Sequence, residues 1–325
     1  MAILGIDLGG TKVAFGLFTV HGEPGARETV PIAPRGGRDV GAQVIDHART
    51  MAASAGAGAD RVEAIGVCVP GIYRADRGTV WAPNIPGWDD YPLHEELRAA
   101  FDREVAITVD SDRAAYILGE TWRGAARGSR DAIFLAVGTG IGAGILVDGR
   151  VLRGHHDVAG AIGWLALDRP FRREYEACGC FEHHASGPGI ARRAGALLSA
   201  DARYAGALRD IGADRLTTAD VIGAYDTGDP IATRVLDDAI QFWGMAAANL
   251  VSLFNPESII FGGGVFGPAV RFLPRIREEA LRWGQPISMR EVEFVPSTLG
   301  SDAGVLGAAR LALEGMSTPI LTKVP

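Results

Sequence analysis

Two stretches of this chain are built alike. "AILGIDLGGTKVAFGLFTVHG" opens with an apolar run, Ile3 to Leu8, of buried-strand length. Gly9-Gly10 then turn the chain, and Val13 to Val20 return as a second strand. "AIFLAVGTGIGAGILVDG", Ala132 to Gly149, repeats the pattern with Thr139 between Gly138 and Gly140. Two copies are too few for a solenoid and predict two related lobes.

The rest of the chain alternates in the same style. "DRVEAIGVCVPGIY" reads as a buried strand ending at Pro70-Gly71. "EVAITVDSDRAAYILGETWRG" reads as a strand, a helix N-cap at Ser111 or Asp112, and a helix. A long apolar helix ends at Asn255-Pro256, Ser258 to Phe261 forms a strand, and a last helix starts near Asp302. Strands alternating with helices make the class α/β. The final stretch, "MSTPILTKVP", reads as a loose tail.

Bulk properties exclude several functions. A chain of 325 residues, 47% hydrophobic and 22% charged, can bury a sizeable core. A net charge of −7 argues against general nucleic-acid binding, which needs clustered Lys and Arg. Three cysteines cannot build a disulfide framework, so a reducing, cytoplasmic setting is expected. The N-terminus has no basic region before its apolar stretch, and no apolar run is long enough to span a membrane.

A Gly/Thr turn after a buried strand exposes several backbone N–H groups together, a nest that suits phosphate oxygens. Glycine is needed because a side chain would hold the phosphate away. One such turn is weak evidence, since most are tight hairpins. Two of them, with the further run Gly262-Gly263-Gly264, point to a nucleotide held between two lobes.

"GIDLGGTKVAFGL", "PGIY", "APNIPGW", "VGTGIGAGI" and "NPESIIFGGGV" together resemble the ROK family of sugar kinases and related repressors. The motifs run in family order from Gly5 to about Ala309. The resemblance implies an actin-like, ribonuclease-H-like two-lobed ATPase fold. Residues 1–112 plus about 303–325 would form a smaller N-terminal lobe and 113–302 a larger C-terminal one, with ATP and acceptor in the interlobe cleft. It implies ATP and Mg²⁺, a homodimer, and a sugar acceptor. The family's repressors carry an extra N-terminal DNA-binding domain. This chain starts at its first strand and so resembles the kinase branch.

The family's roles carry over residue by residue. "SDRAAYILGE" matches the motif whose Asp is the general base, here Asp112. Taken alone, Asp112 reads better as an N-cap than as a catalytic group, and a carboxylate at a helix N-terminus is expected to stay ionised. Neighbouring Asp110 is out of register. Asp7 would lie near Mg²⁺ and the γ-phosphate. Gly9, Gly10, Thr11, Lys12, Gly138, Thr139 and Gly140 would surround the phosphates, and Gly263 and Gly264 would flank the adenosine. Asn84, Ser111 and Glu182 fall on acceptor-contacting positions. Trp88 either walls the pocket or packs in the core.

The chain also departs from the family. Ala159-Gly160-Ala161-Ile162-Gly163-Trp164 stands where kinases have Ala-Gly-Glu-Ile-Gly-His. A sugar-contacting Glu becomes Ala161, and a zinc-ligating His becomes Trp164, which then belongs to the acceptor pocket. Two cysteine ligand positions fall on Arg173 and Tyr175, so Cys180 alone remains of four. This argues against zinc, because a structural site needs four close ligands. Trp164, Tyr175 and Phe171 are expected to fill the vacated space. A rewired site of Cys178, Cys180 and a nearby histidine is the alternative. His155 and His156 read as loop residues or pocket lining.

Losing these contacts should relax selection for plain glucose and suit a modified sugar or a cyclitol. The leading reading is an ATP-dependent kinase of a hexose or sugar-like polyol. The alternative is a non-catalytic sugar-binding or regulatory protein that kept the fold.

Overall fold

The computed structural model describes residues 1–32, 34–56 and 61–317. They form two compact units. The first holds residues 1–128, 151–159 and those from Ser301 onward; the second holds 129–150 and 160–300.

The first unit is built on β1 (Ala2–Leu8), β2 (Lys12–Thr19), β3 (Pro24–Pro31) and β4 (Val62–Val69). A short hairpin, β5 (Ile72–Arg74) and β6 (Thr79–Trp81), precedes its last strand, β7 (Ala106–Ser111). The sheet order is β3-β2-β1-β4-β7. The β1–β2 and β2–β3 pairs are antiparallel, while β1–β4 and β4–β7 are parallel. β1 and β4 are apolar runs buried on both faces, as central parallel strands must be. β3, "PGARETVP", is the mostly exposed, charged edge. Helix α1 (Gly37–Ser54) buries Val40, Val44, Ala48 and Met51, a helical stripe, against this sheet. Helices α2 (Leu93–Ala100) and α3 (Asp112–Arg123) follow.

The second unit repeats the plan with β8 (Ala132–Val137), β9 (Ile141–Val147), β10 (Arg150–Val151), β11 (Ser258–Gly262) and β12 (Glu293–Pro296). Its order is β10-β9-β8-β11-β12. Again the leading hairpin β8–β9 is antiparallel, and β8–β11 and β11–β12 are parallel. The duplication expected from the two Gly-turn stretches is therefore present at the level of topology. Both units have the actin-like, ribonuclease-H-like arrangement.

Between β10 and β11 run α4 (Cys180–Ala185), α5 (Gly187–Ala200), α6 (Leu208–Ile211), α7 (Thr218–Asp226) and α8 (Pro230–Phe254). The Asp229 carboxylate caps α8 by accepting from the Ile231 and Ala232 N–H groups, both at 3.0 Å, and Pro230 occupies its first turn. Asn255 ends it in the left-handed region at φ 45°, just before Pro256. Helices α9 (Leu273–Trp283) and α10 (Pro286–Glu291) complete the unit. Among the described residues, no helix is long and apolar enough to cross a membrane.

The last helix, α11 (Ala303–Ser317), belongs to the first unit. It lies so close to β4 and α3 that side chains are excluded. A Cβ on Gly66 would come 1.8 Å from the Ala308 carbonyl oxygen, and one on Gly307 would come 1.8 Å from that of Ala115. The helix continues through Met316 and Ser317, where a loose tail was expected. The rest of that tail, 318–325, lies outside the described residues.

Candidate active site

The first unit gathers carboxylates at the carboxyl ends of its parallel strands, where ligands of open α/β sheets bind. Asp7 on β1 is level with Cys68 on β4, and Cys68 with Asp110 on β7. The buried Cys68 thiol donates to Asp7 Oδ1 at 3.1 Å. Gly304 of α11 lies against the other side, since a Cβ there would fall 2.2 Å from Asp7 Oδ2. Burial raises the Asp7 pKa, against the lowering effects of the Cys68 hydrogen bond and the Lys12 charge.

Asp110 and Asp112 are separated by their partners. Asp110 Oδ2 accepts from Arg153 Nε at 2.7 Å, and its Oδ1 accepts from the Ser111 N–H at 2.7 Å. Both oxygens are thus engaged within the fold. Ser111 is the N-cap of α3, its hydroxyl accepting from the Ala114 N–H. Asp112 is therefore the first helical residue, and its Oδ1 accepts from the Arg113 N–H at 2.8 Å.

Solvent reaches Asp112, yet protein surrounds it densely. Burial raises its pKa to about 6, the Arg113 charge opposes this, and the Asp7 charge adds to it. The helix terminus favours the ionised form and burial works against it, so the pKa is raised while the carboxylate still ionises at neutral pH. Tyr116, one turn further along α3, went unnoticed in the sequence. Burial raises its pKa, and so do the charges of Asp112, Asp7 and Cys68. Its i+4 spacing from Asp112 was the available signal.

The turn between β1 and β2 is closed by the Gly9 N–H donating to the Lys12 carbonyl at 2.9 Å. Thr11 and Lys12 are exposed. Asn84 packs against Gly10, where a Cβ would come 2.9 Å from that of Asn84, so these residues of the site meet. Trp88 is in the core: its indole N–H donates to the Gly37 carbonyl at 2.9 Å, and it stacks on Tyr91 at 4.2 Å.

In the second unit, Gly138, Thr139 and Gly140 form the tip of the β8–β9 hairpin. The Gly138 N–H donates to the Gly140 carbonyl, and the Gly187 N–H at the start of α5 donates to the Gly138 carbonyl, both at 2.9 Å. Gly263 has φ +87°, and a Cβ there would lie 2.4 Å from the Val137 carbonyl oxygen. The Gly263-Gly264 run thus packs directly on the strand leading to Gly138.

A cavity of about 950 Å³ adjoins this turn. Gly138, Thr139 and Gly264 line one part of it; Ala213, Leu216 and Ile222 line another. Along α5 the lining residues include Gly187, Ala191, Gly195 and Ser199. That stripe of small residues, four apart, is the sequence signal that was missed: it leaves one helix face free of bulk.

Glu182 on α4 is half-buried. Its Oε2 accepts from the Ile141 N–H at 2.6 Å, fastening α4 to the turn. Burial raises its pKa and that hydrogen bond lowers it. Trp164 sits on a 3₁₀ turn, Ile162–Trp164, that packs on α4.

Of the three aromatic residues expected to fill space in this region, Tyr175 alone is buried. Trp164 and Phe171 are 58% and 71% exposed and fill nothing. The reason for Trp164 is steric: Gly179, at φ +85°, lies under its backbone, where a Cβ would come 2.6 Å from the Trp164 Cα. The indole therefore projects outward. Tyr175, only 3% exposed, packs inside. Its hydroxyl meets Asp168 Oδ2 at 2.9 Å and His184 Nε2 at 2.8 Å, and the His184 ring stacks on Phe242 at 4.3 Å. Burial pushes the His184 pKa down to about 4, and the charge of His183 adds to this. Cys180 is buried, Cys178 partly so, and His155 and His156 are exposed. Among the described residues, no three His, Cys, Asp or Glu side chains form a group that could hold a metal. Asp7 and Asp112 are hard oxygen donors, the kind magnesium uses one or two at a time alongside phosphates and water.

Comparison with known proteins places the chain. The ROK family model matches residues 3–315. A glucokinase of Halalkalibacterium halodurans is 32% identical over 315 residues, covering 96% of this chain and 94% of that protein. A solved ROK hexokinase from Thermus thermophilus superposes with a TM-score of 0.80 at 31% identity, covering 98% of this chain and 99% of that one. A ROK family glucokinase from Streptomyces griseus, solved with glucose and AMPPNP, gives a TM-score of 0.73 at 28% identity, covering 97% and 100%. Similarity along nearly the full length, in sequence and in structure, means that the chain belongs to the ROK family.

Proposed function

We propose that the protein is an ATP-dependent kinase that phosphorylates a hydroxyl of a hexose or sugar-like polyol. The observation that carries this is the cavity opening on the Gly138–Gly140 turn, apolar where a base would lie and glycine-rich where phosphates would. The relatives named as glucokinases support phosphoryl transfer to a sugar.

Residue roles follow from the chemistry. Asp112 takes the proton of the attacking hydroxyl; with a pKa near 6 it is ionised at neutral pH yet basic enough to be useful. Asp7 would hold Mg²⁺, which would neutralise charge on the transferring phosphoryl group. Gly9, Gly10, Thr11 and Lys12 surround the terminal phosphate, and Gly138, Thr139, Gly140, Gly263 and Gly264 hold the rest of the donor. Asn84, Ser111 and Glu182 bind acceptor hydroxyls.

The acceptor is proposed to differ from glucose. Ala161 brings no hydrogen-bonding side chain, and the exposed Trp164 offers a flat apolar face. An acceptor with fewer hydroxyls at that edge, or with a carbocyclic ring such as a cyclitol, matches such a surface.

The test is ADP release with Mg-ATP over a panel of glucose, mannose, N-acetylhexosamines, fructose and carbocyclic polyols, with Asp112→Asn alongside. Turnover of one acceptor, lost in the variant, is the expected result. ATP binding without turnover on any acceptor would favour a sugar-binding or regulatory protein instead.

A further inference from the structure

Arg192 lines the donor cavity and carries the only positive charge among its lining residues; Asp214 carries the only negative one. Arg192 is exposed and pairs with no carboxylate among the described residues. One terminal nitrogen of its guanidinium donates to the His183 carbonyl at 2.6 Å and faces His183 Nδ1 at 3.2 Å. Burial lowers the His183 pKa, and the Arg192 charge lowers it further. A guanidinium has five N–H donors, and the other nitrogens have no partner among the described residues.

Its placement is indexed to the phosphate turn. Glu182 receives the Ile141 N–H of that turn, and the next residue, His183, receives Arg192. Helix α5 begins with Gly187 bonded to Gly138. Arg192 follows five residues later, about 7.5 Å along the axis at the usual rise. Gly195, about 4.5 Å beyond it, abuts Ala213 on the apolar side, where a Cβ would come 2.7 Å from the Ala213 carbonyl oxygen. Arg192 therefore stands between the glycine turn and the apolar wall. A nucleotide laid along α5 has its inner phosphates there.

We propose that Arg192 is a donor-binding residue that contacts the α- and β-phosphate oxygens of the nucleotide, held ready by His183. This rests on the kinase reading above. An anion at that position would complete the charge-assisted hydrogen bonds of a fork already fixed on one side.

The experiment is calorimetric titration of the full chain with ATP, ADP and adenosine, for wild type, Arg192→Ala and Arg192→Lys. The expected result is a loss of ~10-fold or more in ATP and ADP affinity for the alanine variant, with adenosine affinity unchanged. Lysine should restore part of the loss, and the salt dependence of ADP binding should flatten in the alanine variant. Equal losses for adenosine and ADP would mean that Arg192 only shapes the cavity, and would overturn the assignment. So would unaltered ADP binding. A wild-type chain that binds none of the three would overturn the donor reading itself, a result distinct from either.

Discussion

The two glycine turns sit at the same point of the same topology and differ in what surrounds them. The β1–β2 turn stands beside carboxylates: Asp7 at the end of its own strand and Asp112 at the head of α3. The β8–β9 turn stands beside a large cavity, with a carboxylate that hydrogen-bonds its backbone and an arginine along the adjoining helix. The first is suited to activating a hydroxyl and holding a cation; the second is suited to grasping an anion with a base attached. Duplication supplied two equivalent frames. On the proposed reading, the side chains at the strand ends make one turn chemical and the other a grip.

That contrast breaks first at Asp112. Asp112→Asn should lower kcat by ~10³-fold while ATP affinity stays within a few-fold, measured by steady-state kinetics and calorimetry. A loss of ATP binding in that variant would mean that the two turns do not divide the work. The pH profile sharpens the point. The base must be deprotonated, so kcat/KM should rise with pH through an acid limb near 6 and level off above it. The stability sign runs the other way. A folded pKa raised above the unfolded value gives stability that is full below about 3.8 and is lost as pH rises through about 6. The neutral Asn side chain removes that loss, so the variant's melting temperature at pH 7.5 should equal or exceed the wild type's.

The second turn is held by backbone packing, and Gly263 is where that shows. Gly263→Ala places a methyl group at φ +87° against the Val137 carbonyl. It should cost about 2–4 kcal/mol of stability in the second unit. Denaturant unfolding would detect it. A loss below about 0.5 kcal/mol would show that the strand and the glycine run are not locked together.

Glu182→Gln is a smaller change that separates two jobs. If Glu182 binds the acceptor, the acceptor KM should rise by about tenfold with the ATP KM little altered. If Glu182 only braces the turn through Ile141, neither KM should change by more than about two-fold. The near-isosteric amide keeps an oxygen for the Ile141 N–H in either case.

Much of this was legible in the sequence because the informative signals were local. Apolar runs ending in Gly-Gly or Gly-Thr-Gly mark strands and their turns, and Asn255-Pro256 marks a helix end, without reference to anything distant. The register that selects Asp112 over Asp110 came from a motif; in the structure Arg153, far along the chain, pairs with Asp110. Distant pairings of that kind leave no local mark. The cavity beside the Gly138–Gly140 turn was equally hidden. Its clue was the absence of bulk at Gly187, Ala191, Gly195 and Ser199, and small residues on a helix more often signal close packing than a cavity. Trp164 misled for a related reason. A bulky aromatic in place of a metal ligand suggests infill, but its direction is set by Gly179, whose backbone passes beneath it.

The least of the expected effects concerns the region where Tyr175 meets Asp168 and His184. Tyr175→Phe removes one hydroxyl and leaves the ring in place. The loss should be about 1 kcal/mol at neutral pH, since Asp168 keeps Arg172 at 2.9 Å and the Arg169 N–H at 2.8 Å. The pH dependence carries more information than the size. The folded His184 pKa of about 4 lies below the ordinary 6.5, mainly through burial. The unfolded chain therefore takes up a proton that the folded one resists as pH falls from 6.5 toward 4, and stability declines across that window. Asp168 acts lower down. Burial alone would raise its pKa, but the Tyr175 hydroxyl, the Arg169 N–H and Arg172 together hold it below the usual carboxylate value. Its contribution is present above 3.8 and fades below. Thermal melts of wild type and Tyr175→Phe from pH 7 to 3.5 should thus converge at the acid end, where the Tyr175–Asp168 hydrogen bond matters least. Adding a chelator should not shift either curve at pH 7. A chelator-dependent fall in the wild-type melting temperature would mean that a metal, rather than this hydrogen-bonded group, holds α4 against the chain before it.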